Sequence, residues 1–273
     1  MTDFDHAVIN VLGRMDEAAE QYARLGFTLT PRGYHTLGSI NHLAVFRDSY
    51  LELLGYAPGE RDKRAEMWVH PAGLTGLAFR TGNAASLHDD LQRDGVAVEQ
   101  YRDFSRPVTI DGQERNASFR TFQVDRRDVD NGRIFFCQHN TPELIWRPEW
   151  QSHANGATGI AAFTIISNDP NRLSALLKRV PGIYTDGTMR AGRTTLRVFH
   201  PSQMPDLCSG VSLLPDLAGG AMRMVALDLF TESLDVTNAC LDARGVPYLR
   251  ERTSLSIAPD AALGLVLRFI EYA

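Results

Sequence analysis

Four times in this chain a helix-patterned run ends at a glycine, and an apolar residue then opens a strand: Leu25-Gly26-Phe27, Asp94-Gly95-Val96, Pro181-Gly182-Ile183 and Arg244-Gly245-Val246. Glycine suits that position because a helix commonly ends with one residue in the left-handed region, which glycine enters without a Cβ penalty. Each of the four is preceded by a short strand and an amphipathic run and followed by strand-like segments. The repeating unit is therefore strand, helix, then several strands. Its length exceeds the roughly 20–50 residues of solenoid repeats, so duplicated modules are predicted.

The first module opens with a strand over Phe4 to Val11, in which Ala7, Ile9 and Val11 alternate with His6, Val8 and Asn10. A helix from Met15 to Leu25 aligns Met15, Ala18, Ala19, Tyr22 and Leu25 on one stripe, which must cover the apolar face of the sheet. The opposite face, bearing His6, is left free. Further strands are predicted over Phe27 to Pro31, Ser39 to Phe46 and Ser49 to Tyr56, with Glu52 on the same face as Tyr50 and Leu54. Module two repeats the order with a strand over Gly76 to Thr81, a helix over Ala84 to Asp94 capped by Asn83, and strands near Val96 to Tyr101, Ala117 to Val124 and Arg133 to His139. Module three begins at Gly159 to Ile166, with Asp169-Pro170 starting a helix that runs to Val180. Module four has a strand over Met222 to Phe230, a helix over Glu232 to Arg244 and a last strand over Leu265 to Tyr272. A linker over Pro148 to Ala157 divides the chain into units of about 1–150 and 155–273.

The remaining bounds are exclusions. With 273 residues, 44% of them hydrophobic, the chain can bury one large core or two smaller ones. A net charge of -5 and no basic run longer than a pair give no footprint for nucleic acid. Cys137, Cys208 and Cys240 are too scattered for a disulfide framework or zinc knuckle, and are expected as buried thiols in a reducing cytoplasm. The N-terminus lacks a signal-peptide pattern and no apolar stretch is long enough to span a bilayer, so a cytoplasmic protein is expected, monomeric or homodimeric, with a small-molecule substrate as its partner.

The segments Phe4-Asp5-His6-Ala7-Val8-Ile9, Leu25-Gly26-Phe27-Thr28-Leu29-Thr30, Gly33-Tyr34-His35-Thr36-Leu37-Gly38-Ser39-Ile40-Asn41 and Tyr50-Leu51-Glu52-Leu53, in that order and spacing, resemble the vicinal oxygen chelate superfamily, in particular its glyoxalase-like domain proteins. The resemblance implies an α+β fold of four βαβββ modules paired into two cups with helices outside. In metal-binding members of the superfamily, the first and last strands of paired modules point His, Gln or Glu into the cup. Carried over by position, that implies His6 and Glu52 as catalytic and metal-binding residues. Gln138 would be a third ligand, with His139 its alternative if the register slips by one residue. The implied cofactor is a divalent ion, Mn, Fe, Co, Ni or Zn. The first strand of module two departs from the pattern, having Gly76, Leu77 and Ala78 where a ligand is expected.

Read from the residues alone, each of these positions keeps a structural alternative. His6 is either a ligand or catalytic group or a hydrogen-bonded cavity histidine. Glu52, among leucines on a central strand, is either functional or paired to an arginine. Gln138 has a purely structural reading. His35 and Asn41 are candidate substrate contacts or turn and cavity residues, and Tyr50, Phe136 and Trp146 line a cup or pack in the core. In the second half Asp228, His200 and Glu271 are the main ligand types near strand ends, which reads as a degenerate copy. Three functions fit: a metal-dependent lyase, isomerase or hydrolase acting on a small oxygenated metabolite; a non-catalytic binding or resistance protein; or an extradiol-type dioxygenase.

Overall fold

In the computed structural model, which describes residues 2–203 and 222–271, the strand–helix–strands unit occurs four times. The first sheet is built from β1 (Asp3–Leu12), β2 (Gly33–Tyr34), β3 (Ile40–Val45), β4 (Tyr50–Gly55), β5 (Gly73–Arg80), β6 (Arg102–Ile110), β7 (Gln113–Gln123) and β8 (Arg133–His139). Their order is β2-β3-β4-β1-β5-β8-β7-β6. Within each module the first and last strands run parallel, and β1 meets β5 antiparallel at the centre. The second sheet comprises β9 (Ala157–Ser167), β10 (Ile183–Thr185), β11 (Met189–Ala191), β12 (Thr194–Phe199), β13 (Met222–Thr231), β14 (Leu249–Arg250), β15 (Ser254–Ile257) and β16 (Val266–Glu271), and repeats the same order, β10-β11-β12-β9-β13-β16-β15-β14. Cys208 and Tyr272 fall outside the described residues.

Helices α1 (Met15–Arg24), α3 (Ala84–Arg93), α4 (Pro170–Leu177) and α5 (Leu234–Ala243) cover the convex faces, while α2 (Ala65–Trp68) is a single turn on the cup side. The repeated glycines have the expected backbone, with φ of 90°, 75°, 94° and 59° at Gly26, Gly95, Gly182 and Gly245. Asn83 and Asp169 cap α3 and α4 by accepting from the N–H groups of Ser86 and Arg172. α1 and α3 end one residue before their patterns, α5 starts two residues later and ends one earlier, and α4 ends at Leu177 instead of Val180, because the Pro181-Gly182 turn draws the preceding residues into separate turns.

Alternation along β1 divides two environments. Ala7, Ile9 and Val11 join one continuous core under the helices that also takes in Phe163, Leu227 and Phe269 of the second half. On the other face Val8 packs with Leu54, Trp68, Ala78 and Phe135 toward one end of the cup, and Tyr50 packs with Leu43, Phe119, Cys137 and Ile145 toward the other. The first sheet curls until its edges meet: Thr36 N–H donates to Ser105 O at 2.9 Å and Ser105 N–H to Thr36 Oγ1 at 3.2 Å. His153, between the sheets, accepts from Thr28 N–H at 3.0 Å on Nδ1 and donates from Nε2 to Val45 O at 3.0 Å, tying the linker back to the first module.

Two strands differ from expectation. Phe27 to Pro31 is irregular, with Phe27 turned into the core against Tyr22 and Phe46, and pairing begins only at Gly33. In module two Val96 to Tyr101 contributes only a bridge at Val98, and the regular strand is Arg102–Ile110. Pro107, which cannot donate to a ladder, is accommodated there because β6 lies at the sheet edge.

Candidate functional site

The concave face of the first sheet encloses a cavity of about 150 Å³ whose walls are apolar at both ends and polar in the middle. The polar belt is supplied by one residue each from β1 (His6), β3 (Asn41), β4 (Glu52), β6 (Arg106) and β8 (Arg133), with His35 from the β2–β3 turn. Strand alternation places these side chains rigidly, since each shares its face with apolar neighbours that are packed.

His6 is held from behind. Its Nδ1 lies 2.7 Å from Asp5 Oδ2, and its ring stacks on Tyr50 at 4.3 Å between centroids with 11° between planes. Neighbouring residues on a regular strand point to opposite faces, so this bond needs an irregularity. The β1–β5 register shifts between Phe4 and His6, leaving Asp5 as a bulged residue able to reach the His6 ring. Asp5 is fully buried and also receives His139 Nε2 at 2.8 Å and Arg80 Nε at 2.9 Å. Burial alone would raise its carboxyl, but His139 and His6 hold it well below the usual carboxylate range. With Nδ1 committed to Asp5, Nε2 of His6 faces Glu52 Oε2 at 3.7 Å.

Glu52 is buried and accepts from Asn41 Nδ2 at 2.6 Å. The same amide nitrogen lies 3.2 Å from His35 Nε2, whose Nδ1 is 2.8 Å from Ser39 Oγ. The bond to Glu52 fixes which end of the Asn41 amide is nitrogen, so His35 Nε2 is the acceptor and Nδ1–H donates to Ser39. Desolvation keeps that imidazole neutral, its pKa pushed down to about 4 although Glu52 opposes the shift. Asn41 Oδ1 is left buried without a partner.

Arg106 is the least compensated charge at the site. It is 2% exposed, its Nη2 is buried and unpartnered, and burial lowers its pKa despite Glu52 and Tyr50 nearby. It reaches the cavity across Gly33, where a Cβ would stand 2.7 Å from Arg106 Nη1 and closer still to Asn41 Oδ1, so only glycine fits there. Arg133 lies over the Phe135 ring at 4.8 Å, and burial together with the like charge of Arg64 pushes its pKa down to about 10. Arg64 pairs with Glu66 and Arg126 with Glu99 around the same cavity.

Of the residues expected from sequence, His6, Glu52, His35, Asn41 and Tyr50 line this one cavity. Two do not. Gln138 lies on the opposite face of β8, where its Oε1 accepts from Ala84 N–H at 2.8 Å at the start of α3, and Phe136 is stacked on Phe79 and Phe122 in the helix-side core. The register of β8 is one residue from that expected, so Arg133, Phe135, Cys137 and His139 take the concave face. Trp146 lies against Tyr50, His139 and the Arg80 guanidinium. Asp5, Arg106 and Arg133 were not singled out from sequence. For Arg106 a signal existed: Phe104, Arg106, Val108 and Ile110 are in phase, which puts an arginine at an inward position.

Metal-type donors are arranged in two ways. Asp5, Cys137 and His139 come within 4.8 Å of one another, a possible metal cluster by residue type, yet Asp5 is already saturated by His6, His139 and Arg80. Facing the cavity, His6 Nε2 and Glu52 are donors from module one only. The matching register positions of module two hold Gly76 and Ala78 on β5 and Arg133 and Phe135 on β8. Among the described residues no third His, Cys, Asp or Glu groups with this pair, and two donors beside an uncompensated guanidinium do not fit the three-ligand sites of zinc or non-haem iron.

In the second half Asp228 is 2% exposed and clamped by Arg197 at 2.6 Å and by Arg268 at 2.9 and 2.6 Å. Glu271 accepts from Leu234 N–H at the start of α5, and His200 is exposed. Among the described residues no helix is long and apolar enough to cross a membrane.

The sequence profile of a family described as "Glyoxalase-like domain" matches residues 4–180. No curated protein matches the chain significantly. Among solved structures, a hypothetical protein from Staphylococcus aureus aligns over 100% of both chains at TM-score 0.67 and 13% identity. A mutant of 4-hydroxymandelate synthase from Streptomyces coelicolor aligns over 99% of this chain and 93% of its own at TM-score 0.62 and 13% identity. A xylose isomerase-like TIM barrel/4-hydroxyphenylpyruvate dioxygenase fusion protein aligns over 99% of this chain and 49% of its own at TM-score 0.63 and 11% identity. At such identities the likeness establishes the fold, that of the vicinal oxygen chelate proteins, in α+β form with two cups.

Proposed function

The chain belongs to the glyoxalase-like domain family, and from that premise we propose that its N-terminal cup is the active site of an isomerase or lyase that moves protons on a small oxygenated metabolite. The observation that carries this reading is the buried series Asp5, His6 and Glu52, with two proton-handling groups 3.7 Å apart aimed into one cavity. Glu52 takes a proton from a carbon beside a carbonyl. His6, in its imidazolium form with Nδ1–H donated to Asp5, gives the Nε2 proton to the carbonyl oxygen as negative charge grows there and is left neutral. The result is a neutral enol, with the carbon proton on Glu52. Where the substrate carries a neighbouring hydroxyl, the reverse transfers on the adjacent carbon and oxygen restore both groups and complete an isomerisation without oxidant or reductant. Tyr50 and Phe135 pack against the His6 ring and limit its rotation.

The test is solvent exchange: dicarbonyl and keto-sugar compounds incubated in deuterium oxide should take up deuterium next to the carbonyl with the wild type and not with Glu52→Gln. If no compound exchanges while one of them raises the melting temperature of wild type and His6→Ala equally, a binding protein is the better description. The metal expectation is checked separately. Protein purified without chelator should hold well below one divalent ion per chain; stoichiometric Mn, Fe, Co, Ni or Zn that disappears in Glu52→Gln would restore the metal-dependent reading. The oxygenation suggested by the dioxygenase in the name of one solved neighbour has less support. An extradiol centre would fall in the C-terminal cup, whose strands β9, β12, β13 and β16 contain no histidine.

A further inference from the structure

We propose that the molecule accepted by the N-terminal cup is a small hydroxy-keto acid, its carboxylate received by Arg106 and a hydroxyl by Asn41. This rests on the reading of that cup as the working site and adds the class of molecule it takes.

Three observations converge on it. Arg106 is almost wholly buried, stays charged in any protein environment, and has a buried Nη2 with no partner. An ionised group so placed is costly unless an anion joins it. Glu52 does not fill that role, being engaged by Asn41 Nδ2 and facing His6, and no ion pair joins it to Arg106. Second, Asn41 Oδ1 is a buried acceptor without a donor, and it stands with Arg106 over Gly33, where no side chain intervenes. A ligand with an oxyanion beside a hydroxyl satisfies both atoms together. Third, the cavity wall carries five arginines, Arg64, Arg102, Arg106, Arg126 and Arg133, against three glutamates, Glu52, Glu66 and Glu99. The excess positive charge attracts an anion and repels a cation. The planar fork of a guanidinium matches the two oxygens of a carboxylate, and a single guanidinium with an unpartnered Nη2 suits a monoanion.

Glycerate and glycerol share hydroxyls and differ in the carboxylate, so they serve as the probe pair, with inorganic phosphate as the alternative oxyanion. Glycerate should raise the melting temperature of the wild type, and glycerol and phosphate should not. Binding should survive in His6→Gln, whose proton chemistry is lost, and should be roughly 30-fold weaker in Arg106→Met. Arg106→Lys, which keeps the charge and loses the fork, should fall between and covers the case in which the Met variant fails to fold. Equal protection of wild type and Arg106→Met by glycerate overturns the assignment, as does stronger protection by phosphate or none by glycerate. Loss of deuterium exchange in Glu52→Gln would still stand in any of those cases, so this proposal and the proton-transfer reading fail separately.

Discussion

At corresponding register positions the two sheets carry different chemistry. Where β1 places His6 beside Ala78 of β5, β9 places Ala162 beside Asp228 of β13. Where β4 sets Glu52 against Val8, β12 sets Arg197 against Thr164, and the place of Phe135 on β8 is taken by Arg268 on β16. The C-terminal set is paired internally, one carboxylate bridging two guanidiniums. Its N-terminal counterpart leaves Arg106 Nη2 and Asn41 Oδ1 buried without partners and places His6 and Glu52 on the cavity wall. One backbone thus supports either an internally paired charge cluster or one with unpartnered polar atoms, and the second has capacity left for a ligand.

The largest expected effect tests whether the two cups divide labour. His6→Ala or Glu52→Gln should lower turnover by about 10²–10⁴-fold, the usual contribution of general acid–base groups. Asp228→Asn should leave turnover per folded molecule unchanged. A comparable loss from Asp228→Asn would mean that the second cup participates in chemistry.

Next in size is the stability cost of breaking the paired cluster. Asp228→Ala removes the carboxylate that Arg197 and Arg268 share, and removing one partner of a buried pair costs about 3–5 kcal/mol. Urea unfolding of wild type and variant measures it, and a change below about 1 kcal/mol would show that both arginines find solvent readily.

How much of this contrast could be read from the sequence depends on whether the signal is local. The fourfold glycine and the apolar phase of β1, β9 and β13 are local, and they carried the module order. His6, Asn41, Tyr50 and Glu52 were legible because each lies on a strand whose alternation can be read, and His35 because it sits in the turn between two such strands. Gln138 and Phe136 were misassigned because Ile-Phe-Phe-Cys is apolar on both faces, so alternation cannot choose a register and neighbouring strands decide it. Asp5 was hidden by a bulge, which alternation does not register. Arg106 was hidden because Pro107 and the charges around it make an edge strand look like a loop, and because its role depends on Gly33, 73 residues away in sequence and adjacent only once the sheet edges meet.

A third effect sharpens the comparison through pH. His35 is held neutral in the N-terminal cup, its pKa pushed down to about 4 by burial, against about 6.5 in an unfolded chain. On acidification the unfolded chain therefore takes up the proton first. Stability contributed by His35 is complete above about pH 6.5, falls as the pH drops toward 4 and levels off below that, a loss of about 2–3 kcal/mol for this group. His35→Gln should flatten that part of the stability profile, measured by unfolding across the window. An unchanged slope would assign it elsewhere, with His70, also pushed down to about 4, the next group to replace.

The smallest effect has the opposite sign, which makes it the sharpest test of the contrast. Arg106 is buried with an unpartnered nitrogen, so the unliganded protein bears a desolvation cost there that no internal bond offsets. Methionine has a similar length and no polar atom, and such replacements of buried charges are often neutral or stabilising by about 1–4 kcal/mol. Arg106→Met should then raise the stability of the ligand-free protein by about 1 kcal/mol, whereas Asp228→Ala lowers it. Stabilisation by deleting a charge is what a site built for an absent partner predicts, because the group is kept for binding at the expense of folding. Unfolding of both variants in the same ligand-free buffer decides the matter: if Arg106→Met is destabilised as Asp228→Ala is, Arg106 is already compensated within the fold and the two cups do not differ in the way their charges suggest.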